Sequence, residues 1–127
     1  MNSKDNSKAR VLIVDDDPAV RDAISLWLDC NGYISSCFDD ANDFIDQYSP
    51  DLRGCIVADI RMPGMSGLEL LKHIKEKYDK PPPVVMMITA YGDDENYNQA
   101  MKLGADDFLT KPVDFVRLKE KLKTRNI

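Results

Sequence analysis

Three acids, one hydroxyl and one amine, Asp15, Asp16, Asp59, Thr89 and Lys111, each stand at the end of a short apolar run. The stretch Cys55-Ile56-Val57-Ala58 ends on Asp59, and a turn with Pro63 and Gly64 follows it. If those runs are parallel strands of one sheet, all five residues meet along one edge. Like carboxylates held together repel, by about 4 kcal/mol per pair at 4 Å in an effective dielectric constant of about 20. Such a cluster must bind protons, a cation, or both. Oxygen donors without nearby His or Cys favour Mg²⁺ or a similar ion such as Mn²⁺ over zinc. An amine beside them can pair with a carboxylate or with a phosphoryl oxygen. The constellation fits phosphoryl transfer onto an aspartate.

The elements that would position these groups alternate between strand and helix. Val11-Leu12-Ile13-Val14 is a continuous apolar run of the kind that fits a fully buried strand, ending on Asp15. Asp17 and Pro18 then have the chemistry of an N-cap and a first helical residue. Ala23, Ile24, Trp27 and Leu28 recur at helical spacing to about Cys30, and Gly32 closes the helix. Tyr33 to Phe38 is an edge strand, and Asp39 to Tyr48 a short helix with Phe44, Ile45 and Tyr48 on one face. After the Asp59 strand, Ser66 and Glu69 form a capping box for a third helix, with Leu68, Leu71 and Ile74, and Leu70 beside them, as its buried stripe. Val84 to Ile88 is a further buried run ending on Thr89-Ala90. Acids at 93–95 open a fourth helix that ends at Gly104. Asp107 to Thr110 is the last strand, before Lys111-Pro112, and Asp114 caps a fifth helix carrying Phe115, Leu118 and Leu122. Short connections between such units imply right-handed crossovers and a parallel sheet covered on both faces. A carboxylate at the C-terminal end of a central strand then points into the crevice where open α/β sheets bind ligands.

Composition narrows the classes. At 127 residues the chain has the length of one domain. Its net charge of −5 lacks the basic footprint that nucleic-acid binding needs. Residues 1–9 are polar, which reads as a disordered tail without a signal peptide, and the ordered domain takes 10–127. No apolar run approaches the ~18 residues of a membrane span. Cys30, Cys37 and Cys55 have no metal-type spacing and read as reduced, interior, cytoplasmic thiols. The lone His73 reads as a surface residue of the third helix.

The chain resembles the receiver domain of two-component response regulators over residues 10–125. The motifs carrying the resemblance are Asp15-Asp16-Asp17-Pro18, Asp59 with Pro63-Gly64 and Gly67, Thr89-Ala90, Gly104 through Phe108, and Lys111-Pro112, in the family's order. The resemblance implies a flavodoxin-like five-stranded parallel sheet, order 2-1-3-4-5. It implies that Asp59 is the phosphoacceptor, served by a sensor histidine kinase or a histidine phosphotransfer protein. Asp15, Asp16, Asp59 and the backbone carbonyl of Arg61 would bind Mg²⁺ or Mn²⁺. Thr89 and Lys111 would contact the phosphoryl group, Thr89 and Phe108 would form the switch, and Lys111-Pro112 would be cis. The change would be relayed to the surface of the fourth helix, fifth strand and fifth helix, for a downstream output protein or domain. The resemblance also implies that Arg61 and Tyr91 occupy positions that would tune dephosphorylation. Self-phosphorylation and self-dephosphorylation would be weak, so the chain is a signalling module rather than an enzyme.

Two other readings compete with this one. An aspartyl-phosphate phosphohydrolase would need an Asp-x-Asp nucleophile motif, which Asp15 and Asp17 would have to supply. A degenerate receiver would only bind partners, which the complete set of five residues opposes. The acids at 93–95, 106 and 107 with the bases Arg117, Lys119, Lys121, Lys123 and Arg125 fit either a solvated face or a self-complementary homodimer surface.

Overall fold

Apolar residues at every position of the central strands bury both faces of one sheet. The computed structural model describes residues 10–49, 54–78, 83–90 and 92–127. The tail at 1–9 lies outside them. The elements are β1 (Arg10–Val14), α1 (Pro18–Cys30), β2 (Ile34–Phe38), α2 (Ala41–Gln47), β3 (Cys55–Asp59), α3 (Gly67–Lys77), β4 (Val84–Ala90), α4 (Asp94–Lys102), β5 (Asp107–Lys111) and α5 (Phe115–Thr124). All strand pairs are parallel, in the order β2-β1-β3-β4-β5. The expected architecture is therefore the observed one.

Side-chain alternation along the strands divides the core in two. Leu12, Val14, Ile56, Ala58, Val85 and Met87 pack with Phe44, Leu70, Leu71, Ile74 and Ala100 on the face covered by α2, α3 and α4. Val11, Ile13, Val57, Met86 and Ile88 pack with Ile24, Leu28, Leu118 and Leu122 on the face covered by α1 and α5.

The helix starts follow their capping chemistry. Asp17, Asp40, Ser66, Asp93 and Asp114 each accept a backbone N–H of the first turn. The capping box of Ser66 and Glu69 is complete. The second helix starts at Ala41 rather than Asp39, because Asp40 is its cap and accepts the Asp43 amide at 2.7 Å. Gly104 lies just past the end of α4, at φ +94°.

Some sequence expectations need correction. Only Cys55 is buried; Cys30, on the last turn of α1, and Cys37, on edge strand β2, are exposed. The buried stripe of α1 narrows to Ile24 and Leu28, with Ala23 turned to solvent. In α3 it is Leu70, with Leu71 and Ile74, that is fully buried, while Leu68 is half-buried. His73 is half-buried rather than on the surface, and its Nε2 has no hydrogen-bond partner among the described residues.

Gly67 fixes the approach of α3 to the strand that carries Asp59. Its amide donates to the Ile60 carbonyl at 2.8 Å. A Cβ at this position would sit 2.2 Å from the Asp59 carbonyl oxygen, so the backbone would have to give way. Gly67→Ala is expected to lower stability by about 1–3 kcal/mol, the usual range for overpacking. A shift of the urea midpoint checks this, and an unchanged midpoint would show that the loop moves freely.

Candidate functional site

The C-terminal ends of β1, β3, β4 and β5 bring the expected residues to one edge. Asp59 is the last residue of β3 and only 5% exposed. Asp15 follows β1 directly, is fully buried, and its amide donates to the Phe38 carbonyl at 3.1 Å. Asp16 is exposed beside it. One oxygen from each of Asp15, Asp16 and Asp59 lies within 4.8 Å of the others.

Lys111 ends β5 and reaches over this cluster. Its Nζ donates to Asp59 Oδ2 at 2.7 Å and stands 3.8 Å from Asp15 Oδ2. The other Asp59 oxygen, Oδ1, accepts the Arg61 amide at 3.2 Å. Asp15 Oδ1 accepts the Asp17 amide at 2.9 Å. Arg21, which the sequence did not single out, donates from Nη1 to the Asp15 carbonyl at 2.9 Å. The Lys111-Pro112 peptide bond is cis, as the resemblance implied.

Electrostatics follow from burial. Loss of water raises the Asp15 carboxyl to about 6, aided by the charges of Asp59 and Asp16 and opposed by the Asp17 amide and Lys111. Burial by itself would lower the Lys111 ammonium, but the hydrogen bond and charge of Asp59 outweigh it and hold Lys111 above its ordinary value. The residues present fit a hard divalent cation. The donors are all oxygens, and Asp15 Oδ2 is buried without a hydrogen-bond partner.

Thr89 belongs to the other side of the sheet. It is 4% exposed, near the end of β4, and pairs in register with Thr110. By alternation it shares the face of Val85 and Met87. Phe108 packs on that same face, half-buried, with its ring centroid 4.4 Å from that of Tyr97 on α4. Tyr91 lies outside the described residues. The Arg61 side chain pairs with Asp93, the cap of α4, at 2.9 Å. No periodicity signals that pair, whose members lie 32 residues apart. Asp17 caps α1 by accepting the Ala19 amide at 3.0 Å, which leaves Asp15 and Asp17 in separate roles.

A parallel sheet in this order, with acids and a lysine at its C-terminal edge, defines a doubly wound α/β module whose acid cluster could hold a cation. The family model for the response regulator receiver domain matches residues 11–123, and the chain belongs to that family, the receiver modules of two-component systems. It is 44% identical over 112 residues to the transcriptional regulatory protein FixJ of Bradyrhizobium diazoefficiens, covering 88% of this chain and 54% of that protein. It is 42% identical over 107 residues to the C4-dicarboxylate transport transcriptional regulatory protein DctD of Pseudomonas aeruginosa, covering 84% of this chain and 23% of that one. The chain thus spans about half, or less, of these curated relatives. The crystal structure of FixJ-N superposes with a TM-score of 0.81 at 36% identity, covering 91% of each chain. A putative response regulator from Chloroflexus aurantiacus gives 0.86 at 27% identity, covering 92% of this chain and 96% of that one. Family membership makes the chain a signalling module rather than a phosphohydrolase.

The Asp15 shift carries a signed consequence. A carboxyl raised from 3.8 to about 6 on folding contributes stability that is complete below pH 3.8 and is lost as pH rises through about 6. Asp15→Asn keeps the oxygen that accepts the Asp17 amide and removes the charge. In chelator at pH 8 this variant is expected to be more stable than wild type by about 1–3 kcal/mol, from about 1.4 kcal/mol per pKa unit. The gain should vanish near pH 4, and Mg²⁺ should stabilise wild type more than the variant. Denaturant titrations at the two pH values check both. A variant less stable at pH 8 would contradict this account of the site.

Proposed function

We propose that Asp59 accepts a phosphoryl group from the phosphohistidine of a sensor histidine kinase or a histidine phosphotransfer protein, and that this switches the domain's outer surface. One observation carries the reading: a nearly buried carboxylate at the end of the central strand, with an amine at 2.7 Å and two further carboxylates within 4.8 Å. An Asp59 oxygen attacks phosphorus, the O–P bond forms, the N–P bond of the donor breaks, and the departing imidazole takes up a proton. Asp15, Asp16, Asp59 and the Arg61 carbonyl would hold Mg²⁺ or Mn²⁺. The ion, when bound, neutralises charge on the phosphoryl oxygens during transfer. Lys111, already on Asp59, would move its ion pair to a phosphoryl oxygen. The same groups would support weak self-phosphorylation from small donors and weak self-dephosphorylation.

The relay rests on Thr89 and Phe108 sharing one face of the sheet. A phosphorylated side chain carries about −1.5 to −2 charge near neutral pH, and an aspartyl phosphate acts similarly. The Thr89 hydroxyl moves toward it and vacates space beside Phe108. Phe108 turns inward, leaving Tyr97 on α4, and the surface of α4, β5 and α5 changes shape for a downstream output protein or domain. The reading places the domain in the cytoplasm with its kinase, and no helix among the described residues is long and apolar enough to cross a membrane.

Incubation with acetyl phosphate and Mg²⁺, followed by intact mass, tests the acceptor. A single phosphoryl adduct is expected on wild type and none on Asp59→Asn. An adduct that survives the substitution would place the acceptor elsewhere.

The same surface would also carry a homodimer of the phosphorylated form. Asp107 is already paired with Lys121 at 2.6 Å, and Asp106 with Lys75 at 2.8 Å. Contacts between copies would therefore use the α4 acids and the outer bases of α5. Light scattering with beryllofluoride bound is expected to report twice the monomer mass, and a monomer under those conditions would exclude this pairing.

A further inference from the structure

The Arg61 side chain leaves the site and crosses to α4. Arg61 Nε and Nη2 donate to the same oxygen, Oδ2 of Asp93, at 3.1 and 2.9 Å. Asn96 Nδ2 donates to that oxygen as well, at 2.7 Å, and the Asn96 amide donates to Oδ1 at 3.4 Å. Asp93 is half-buried, whereas the Arg61 side chain is 71% exposed. Beside the bridge lies a groove of about 520 Å³ between the β3–α3 loop and α4, lined in part by Arg61, Pro63, Leu68 and Asn96.

Each end of this bridge is anchored to a group that phosphorylation would displace. On one side, the Arg61 amide is held by Asp59 Oδ1 while Lys111 holds Oδ2, so an acyl phosphate formed on either oxygen disturbs one of those contacts. On the other side, the Asp93 amide donates to the Ala90 carbonyl at 3.1 Å, tying the cap of α4 to the residue that follows Thr89. A movement of Thr89 toward Asp59 would be carried through that hydrogen bond to the cap of α4.

We propose that the Arg61–Asp93 bridge is a clasp of the resting state, which ties the phosphorylation loop to the first turn of α4 and opens when Asp59 is phosphorylated. This deepens the phosphoacceptor reading and rests on it. A contact present in only one of two states biases their equilibrium by its own free energy. The clasp therefore weakens binding of a phosphoryl mimic, and removing it strengthens that binding. Its effect is that of an exposed ion pair, about two- to fivefold in the dissociation constant.

The test measures beryllofluoride affinity by calorimetry in saturating Mg²⁺ for wild type, Asp93→Asn, Arg61→Gln and the double variant. Asn retains good N-cap chemistry, so α4 keeps its cap while the charge is lost. Circular dichroism and urea midpoints check that each variant is folded. Each single variant is expected to bind the mimic about two- to fivefold more tightly than wild type. The double variant should match the tighter single variant rather than multiply the two gains, because both substitutions break one contact. The advantage should shrink near 1 M salt, where the screening length falls to about 3 Å. Unchanged or weakened binding in the single variants, or multiplied gains in the double, overturns the clasp while the acceptor assignment stands. If wild type takes neither the mimic nor the acetyl phosphate label, the acceptor assignment falls and the clasp with it.

Discussion

The 2.7 Å contact between Lys111 and Asp59 is the constraint around which the site is arranged. Without a cation on this edge, Asp15 and Asp59 would stand as buried carboxylates side by side, which no fold supports cheaply. The amine offsets that repulsion from the end of β5, and it does so only because β5 is placed two strands from β3. The order β2-β1-β3-β4-β5 is thus an electrostatic arrangement as much as a topological one. The compensation is incomplete, since Asp15 keeps one oxygen with no hydrogen-bond partner and a carboxyl pushed up to about 6. The residual strain is what a divalent ion would relieve.

Much of this was legible in the chain. Continuous apolar runs marked β1, β3 and β4, because a strand covered on both faces has no solvent side on which to place polar residues. Capping chemistry marked the starts of α1, α3 and α5, and acids favoured by the helix dipole marked that of α4. The convergence of Asp15, Asp16, Asp59 and Lys111 followed from one inference, that parallel strands end on the same side. That inference needed no distances.

What was not legible depends on relations between distant elements. Periodicity shows that a helix has a buried stripe but not how wide its neighbours make it, so Ala23 was taken inward with Ile24 and Leu28. Cysteine is usually interior, yet Cys37 lies on the edge strand and Cys30 on a helix end, where packing is one-sided. The reach of Arg61 to Asp93 depends on how the β3–α3 loop lies against α4. In the sequence Asp93 is only an acid at a helix start, fully accounted for by capping and the helix dipole.

The sheet also acts as a partition. Phe108, Ala100 and Leu103 belong to the cluster under α2, α3 and α4, while Trp27, Phe115 and Leu118 belong to the cluster under α1 and α5. Repacking around Phe108 disturbs the first cluster and reaches the second only through the backbone of five paired strands. The two sides of the molecule can therefore drift separately under selection. A lineage can remodel the exposed residues of α1, such as Leu26, without retuning the packing beneath α4. Substitutions on opposite sides combine almost independently, because few of their side chains share a neighbour. A fold divided in this way can acquire a new upstream contact and a new downstream contact in separate evolutionary steps.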